Sequence, residues 1–204
     1  MVANDSANIT GIVLAGGLSS RMGHDKTRIH LHGESEPDLL VYTCKLLEKI
    51  CPEVWISSRD VKPHAKGYLW VKDEIEGMGP IGGIVSALRA AQGPVLVLSC
   101  DLPFMDIERL NTLLEFRKTR PENTLQTTFI QEETGFIEAL VSIYEFESLP
   151  LFERAIEHGI YKLSRVIPNE KRHTLAYTQE DSLPFFNVNY PADLEMARRI
   201  IAAI

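Results

Sequence analysis

The sequence predicts an α/β fold, Rossmann-like, with a mostly parallel central sheet flanked by helices, and three observations point to it. Short apolar runs alternate with amphipathic stretches along the chain, the pattern of strands joined by crossover helices. The first run, Ile9 to Ala15, stops abruptly at a glycine pair followed by hydroxyl and cationic residues, as a buried strand does when it opens into an anion-binding loop. A chain of 204 residues, 45% of them apolar, is long enough to bury one full core, so residues 1–204 are read as a single domain.

Ile9 to Ala15 is the first strand. Leu39 to Ile50 follows as a helix, because Leu39, Leu40, Thr43, Leu46 and Leu47 fall on one face at helical spacing. Val54 to Ser57 and Leu69 to Lys72 are short strand candidates. Ile81, Ile84, Val85 and Leu88 line one face of the next helix, which Gly93 is expected to stop. Val95 to Ser99 is apolar enough for a central strand, and Asp106 is placed to cap a helix carrying Ile107, Leu110, Leu113 and Leu114. Arg117 to Asn123, charged and broken by Pro121, is the best linker candidate. Beyond it come strands at Leu125 to Phe129 and Glu138 to Tyr144, a helix at Leu149 to Glu157, a short basic turn, a strand at Thr174 to Tyr177 and a final helix from Pro191.

The loop after the first strand carries the chemistry. Gly16 and Gly17 remove the Cβ atoms that would hold a phosphate away from backbone N–H groups and permit φ > 0, so several donors can converge on one anion. Arg21 and Lys26 add charge, one as a rigid fork and the other as a mobile point charge. Two common nucleotide motifs are excluded: five residues separate Gly17 from Gly23 with no Gly-Lys pair after them, and the adjacency of Gly16 and Gly17 breaks the Gly-x-Gly-x-x-Gly pattern.

From Leu14 to Lys26 the chain reads Leu-Ala-Gly-Gly-x-Ser-x-Arg-Met-Gly-x-Asp-Lys, and this stretch resembles the molybdenum cofactor guanylyltransferase (MobA) family of nucleotidyltransferases. The resemblance implies a nucleotide-diphospho-sugar transferase-like fold, with a nucleotide subsite in the N-terminal half and an acceptor subsite in the C-terminal half. It implies a Mg2+-dependent transferase that moves GMP from GTP to the phosphate of molybdopterin or Mo-molybdopterin and releases pyrophosphate, in cofactor biosynthesis alongside other proteins of that pathway. Cytidylyltransferases of the same pathway usually carry Leu-Ala-Ala-Gly, so Gly16 favours guanine. A cytidylyl or other small-metabolite nucleotidyltransferase, and a non-catalytic nucleotide-binding protein, remain as alternatives.

Within that reading Leu14, Ala15, Gly16, Gly17 and Lys26 form the nucleotide loop, and Arg21, Lys26 and Asp101 are the catalytic candidates. Asp101 follows the apolar run Val95 to Ser99, at the carboxyl end of a central strand, where open α/β sheets bind ligands. Mg2+ keeps several waters and typically takes one or two carboxylates plus substrate phosphates, so one aspartate can serve as the metal ligand; a turn-capping role for Asp101 also fits Pro103. Gly82 and Gly83 sit in the first turn of the helix that Pro80 begins. Each helical glycine there costs on the order of 1 kcal/mol against alanine, to be explained either by a base lying on bare backbone or by close helix packing. The resemblance adds Gly79, Gly82, Asp73 and, more loosely, Ser57 as GTP contacts.

Phe185 to Pro191 alternates apolar and amide residues, which in an extended chain sets Asn187 and Asn189 on one face opposite Phe186, Val188 and Tyr190. Helix capping accounts for Asn189 but leaves Asn187 without a role. The family's matching Asn-Val-Asn faces the acceptor, and Lys162 and Arg165 are candidates to add charge there.

The net charge of −7 argues against a nucleic-acid partner, while Arg21, Lys26 and Arg28 against Asp25 make Gly11 to His32 locally basic, as a small polyanionic ligand requires. Cys44, Cys51 and Cys100 lack metal or disulfide spacing and read as reduced core thiols. His30 and His32 would share a face of a short strand but lack a third ligand, and read as solvent-facing, as does His24. No apolar stretch nears the roughly 18 residues of a membrane span, and residues 1–8 lack a signal pattern. A cytoplasmic enzyme without membrane partners is expected.

Overall fold

The computed structural model describes residues 8–16, 25–31, 33, 35–73 and 77–203. Seven strands build one sheet: β1 (Thr10–Leu14), β2 (Glu53–Ser58), β3 (Leu69–Lys72), β4 (Val95–Ser99), β5 (Gln126–Gln131), β6 (Ile137–Tyr144) and β7 (Arg172–Tyr177). Their order is β3-β2-β1-β4-β6-β5-β7. β6 runs antiparallel to β4 and β5, and every other pairing is parallel. Among the described residues five α-helices accompany the sheet: α1 (Leu39–Leu47), α2 (Pro80–Ala91), α3 (Ile107–Arg117), α4 (Leu149–Glu157) and α5 (Pro191–Ala203). No helix among the described residues is long and apolar enough to cross a membrane.

Both faces of the central strands are covered, which is why their sequences are apolar throughout rather than alternating. Val13, Leu96 and Leu98 point to one side, where α1 and α3 contribute Leu40, Leu47, Leu110 and Leu113. Ile12, Leu14, Val95 and Val97 point to the other, against Ile81, Ile84 and Leu88 of α2 and Phe152 of α4. A third cluster joins Ile29, Leu31 and Leu39 to Val188, Leu194 and Ala197, so the segment after the loop and the C-terminal helix are held together.

Three local expectations are corrected. The helix expected to reach Ile50 ends at Leu47, with Glu48 closing it. Gln92, in the left-handed conformation at φ 49°, and not Gly93, terminates α2; its N–H still reaches the Leu88 carbonyl. His30 follows a 3-10 turn, Lys26–Arg28, instead of lying in a strand, and its Nδ1 sits 2.7 Å from the Glu36 carbonyl oxygen; His32 and His24 lie outside the described residues.

The Arg117 to Asn123 stretch is no loose linker. Arg117 belongs to α3, is buried, and makes two hydrogen bonds to Glu145, 2.7 Å from Nε to Oε1 and 2.6 Å from Nη2 to Oε2, while Arg120 Nε lies 3.2 Å from Oε1. Glu145 follows β6, so the pair fastens the end of α3 to the sheet. Removing one partner of a buried pair costs more than removing both, because the survivor stays buried without a counter-charge. Glu145→Gln should therefore lower unfolding free energy by about 3–5 kcal/mol in urea denaturation; a loss below about 1 kcal/mol would show that the pair does not anchor α3.

Candidate active site

The order of the sheet places a topological switch at β1, because the chain moves outward to β2 and β3 and then returns to the other side of β1 with β4. Ligands of open α/β sheets bind outside the carboxyl ends of strands at such a switch. Leu14 pairs with Ser57 of β2 and with Ser99 of β4, and Ala15 N–H donates to the Ser57 carbonyl at 2.9 Å while Cys100 N–H donates to the Leu14 carbonyl at 3.3 Å. Ala15 and Gly16 thus leave the sheet between the ends of two neighbouring strands. They form the shared wall of two recesses.

The smaller recess, about 50 Å3, is bounded by Leu14, Lys26, Thr27, Ser99, Cys100 and Asp101 with Ala15 and Gly16. Asp101, 6% exposed, has both carboxylate oxygens engaged: Oδ1 accepts from the Ser99 hydroxyl at 2.5 Å and Oδ2 from Lys26 Nζ at 2.5 Å. Lys26 donates a further hydrogen bond to Asn189 Oδ1 at 3.1 Å. Lys26 is set in place by Asp25, whose Oδ1 accepts from the Thr27 N–H and hydroxyl to begin the 3-10 turn and whose Oδ2 accepts from Lys62 at 3.0 Å. Burial works against the charge on Asp25, but the Thr27 and Lys62 contacts outweigh it and hold the carboxyl below its ordinary range.

Asn189 is available to Lys26 because a different residue caps the last helix. Asp193 Oδ2 accepts from the N–H groups of Asn189 and Tyr190 at 2.9 and 2.8 Å, the acidic half of a capping box. Asn187 Oδ1 is buried and has no hydrogen-bond partner among the described residues. Asn187 and Asn189 therefore differ in surroundings, and Tyr190, expected opposite them with Val188, is exposed while Val188 is fully buried. The Val188 N–H donates to the Asp101 carbonyl at 2.9 Å.

The larger recess, about 300 Å3, lies on the other side of Ala15 and Gly16 and is closed by Ser58, Arg59, Asp60, Lys62, Asp73, Gly77 and Gly79. Gly79 caps α2 at φ 69° and ψ −152°, a conformation that a side chain would strain. Gly83 faces the sheet, where an added Cβ would lie 2.8 Å from Ser57 Oγ and 3.0 Å from Leu14 Cδ2. Its cost to the helix is therefore explained by packing.

The structure brings Leu14, Ala15, Gly16, Lys26, Asp73, Gly79 and Asp101 to the two recesses, with Asn189 joined through Lys26. Arg21 and Gly17 lie outside the described residues. Ser57 lines neither recess: its hydroxyl is turned to α2 and donates to the Gly83 carbonyl at 3.4 Å. Gly82 is buried within α2 and is absent from the cavity wall. Lys162 and Arg165 are exposed, the latter in the 3-10 turn Leu163–Arg165, and neither side chain makes a hydrogen bond or ion pair with Asn187, Asn189 or any other described residue. Sequence reasoning missed Ser58, which ends β2, and Arg59, Asp60 and Lys62, which follow β2 as Gly16 follows β1, and it missed Ser99 beside Asp101. A parallel β1–β2 pairing, once assumed, puts the residues after Ser57 level with the loop.

Cys100 cannot act as a nucleophile here, since burial first and then the adjacent Asp101 push its thiol up to about 12. Among the described residues no group of three or more His, Cys, Asp or Glu is arranged to hold a metal. What the small recess offers instead is a single carboxylate already balanced by a cation, together with an amide oxygen and a hydroxyl.

A family model described as the MobA-like NTP transferase domain matches residues 11–176. A probable molybdenum cofactor guanylyltransferase of Chloroflexus aggregans is 30% identical over 200 residues, covering 93% of each chain. One from Pyrococcus horikoshii is 34% identical over 199 residues, covering 90% of this chain and 96% of its own. The crystal structure of molybdopterin-guanine dinucleotide biosynthesis protein A from Archaeoglobus fulgidus superposes with a TM-score of 0.75 at 26% identity, covering 96% of this chain and 100% of the other.

The ion pair has a thermodynamic signature of its own. Lys26→Met leaves Asp101 with a neutral hydroxyl as its remaining partner, whereas the double variant Lys26→Met, Asp101→Asn removes both charges. A four-protein urea-denaturation cycle should return a coupling of about 1–3 kcal/mol, and additive effects would mean that the two charges do not support one another.

Proposed function

The chain belongs to the MobA-like NTP transferase family, and from that premise we propose that it is a magnesium-dependent guanylyltransferase that transfers GMP from GTP to the phosphate of molybdopterin or Mo-molybdopterin, releasing pyrophosphate. The observation that carries this reading is the meeting of Lys26, Asp101 and Asn189 at the ends of β1 and β4 beside a cavity of about 300 Å3. That volume is at the lower end of ligand pockets, as a nucleoside with its phosphates outside would need. Nucleoside in the larger recess and phosphates in the smaller one would put Ala15 and Gly16 backbone against the junction between them.

The chemistry asks little covalent help from the protein. A phosphate-monoester oxygen of the acceptor attacks the α-phosphorus of GTP, a new P–O bond forms, and the bond to the bridging oxygen breaks with its electron pair leaving on pyrophosphate. The acceptor oxygen is already ionised at neutral pH, so no general base is required, and rate enhancement comes from positioning and charge neutralisation. Lys26 has the flexible, compact charge suited to a phosphate oxygen. In the free protein it rests on Asp101 and Asn189, and a triphosphate competes for it. The oxygen donors around that ammonium, Asp101 first and Asn189 second, are of the hard type that Mg2+ prefers. When bound, the ion would supply positive charge to the phosphate oxygens. Asn187, with its buried amide oxygen lacking a donor, is the residue best prepared to receive a donor group from the acceptor.

Thermal shifts with GTP, CTP, ATP and UTP, each with Mg2+, test the assignment, since a ligand at a hundred times its Kd stabilises by about 2.7 kcal/mol. GTP should give the largest shift, and a CTP shift of equal size would overturn the base preference. Asn187→Ala should leave the GTP shift nearly intact while lowering transfer to molybdopterin about tenfold, the equivalent of one lost hydrogen bond. Equal losses of GTP binding and of transfer would instead put Asn187 in the nucleotide subsite.

A further inference from the structure

We propose that Arg59 is a specificity-determining residue of the larger recess, its guanidinium reading the O6 and N7 edge of a guanine base. The inference rests on the guanine reading above and adds the residue that enforces it.

The polar groups on the wall of this recess are unequally committed. Lys62 is held by Asp25. The Ser58 hydroxyl donates to the Asp60 carbonyl at 2.7 Å and accepts from Trp70 Nε1 at 3.1 Å. Arg59 is exposed, and its side chain makes no hydrogen bond or ion pair with any described residue. Yet the turn that carries it is fixed: Trp70 Nε1 also approaches the Ser58 carbonyl at 3.2 Å, and Asp73 N–H donates to that carbonyl at 3.1 Å. A rigid mount with an uncommitted side chain is what a ligand contact requires.

Position decides which part of a nucleotide Arg59 would meet. Its backbone lies against the loop, with Arg59 N 4.0 Å from where a Cβ on Gly16 would be. Lys26 and Asp101 are across Ala15 and Gly16 in the other recess. Phosphates placed with Lys26 leave Arg59 to the base. Guanine presents two acceptors, O6 and N7, on one edge, and an Arg fork meets both at once. Adenine sets an amino donor where guanine has O6, so its N7 edge does not accept the fork, and cytosine has no N7; its own paired acceptors, N3 and O2, lie on the Watson–Crick edge beside the ribose bond, away from where a purine presents O6 and N7. Asp60 and Asp73 line the same recess, and carboxylates are the acceptors that the guanine N1–H and N2 amino group need.

Titration calorimetry with GTP, 7-deaza-GTP, ATP and CTP, each with Mg2+, on the wild type and on Arg59→Ala tests this. 7-deaza-GTP keeps every group except the N7 acceptor. The wild type should bind it about tenfold more weakly than GTP, the equivalent of one hydrogen bond from a charged donor. Arg59→Ala should bind GTP about 10–100-fold more weakly, bring GTP and 7-deaza-GTP within about twofold of each other, and leave CTP unchanged. Arg59→Lys, with charge but no fork, should recover little of the discrimination. Because Arg59 is exposed and makes no hydrogen bond or ion pair with a described residue, the melting temperature of each variant should match the wild type. The inference is overturned if the wild type does not distinguish 7-deaza-GTP from GTP, or if the distinction persists in Arg59→Ala. It is also overturned if the variant loses GTP, ATP and CTP by one common factor, which would make Arg59 a phosphate contact. A wild type that prefers CTP to GTP would defeat the guanine reading itself, a separate result visible before any variant is made.

Discussion

Leu14 closes β1 in register with Ser57 on one side and Ser99 on the other, and this pairing sets the position of every group at the site. Had β1 slipped by one residue against either neighbour, the side chains of the strand would exchange faces and Leu14 would leave the packing against α2. Because the register holds, Ala15 and Gly16 emerge between two strand ends. The residues following β2 fall on one side of them and those following β4 on the other. A division into two recesses, one rich in potential base contacts and one with paired charge, follows from that single geometry.

Charge is then distributed by pairing rather than by accumulation. The chain carries a net charge of −7, and a polyanionic ligand would be repelled unless local cations dominate. Lys26 and Lys62 both point into the site, each held by an aspartate, Asp101 and Asp25. Such a pairing keeps two ammonium groups in place at little cost while no ligand is present. An ion pair between a mostly buried carboxylate and a lysine 18% exposed at its side chain is not strongly stabilising in net terms, because desolvation offsets attraction. Its value is positional: the pair fixes the lysine rotamer, and on the proposed reading, in which Lys26 meets a phosphate oxygen, less rotamer entropy would be lost when a ligand arrives.

The strands and helices could be read from the chain because apolar runs and helical spacing are local signals, and Val95–Ser99 and Leu149–Glu157 were recoverable to the residue. The places of Gly16 and Asp101 at neighbouring strand ends were legible for a similar reason, since each directly follows an apolar run that marks its strand. What could not be read depends on partners far along the chain. Lys26 meets Asp101 across 75 positions and Asn189 across 163. Ser57 differs from Ser58 only by strand parity, yet parity turns the first onto Gly83 and leaves the second at the cavity. The end of α2 escaped because Gln92 adopts the left-handed conformation without being glycine. The Arg117 segment looked like a linker because its buried partner, Glu145, lies 28 residues away.

The C-terminal segment has the least regular backbone at the site and is among the most firmly attached. Val188 is fully buried in the cluster that contains Leu31, Leu39 and Leu194, and its N–H holds the carbonyl of Asp101. The side chains on either side of it, Asn187 and Asn189, are carried along by that anchor. Asn189 reaches Lys26, while Asn187 keeps a buried oxygen without a donor. Among the described residues that oxygen has no donor, and a buried amide oxygen in this state typically costs about 1–3 kcal/mol. The same backbone contact ties the side of the cleft that holds Asn187 to the strand end that holds Asp101. One peptide hydrogen bond and one buried valine thus fix where Asn187 and Asn189 stand relative to Asp101.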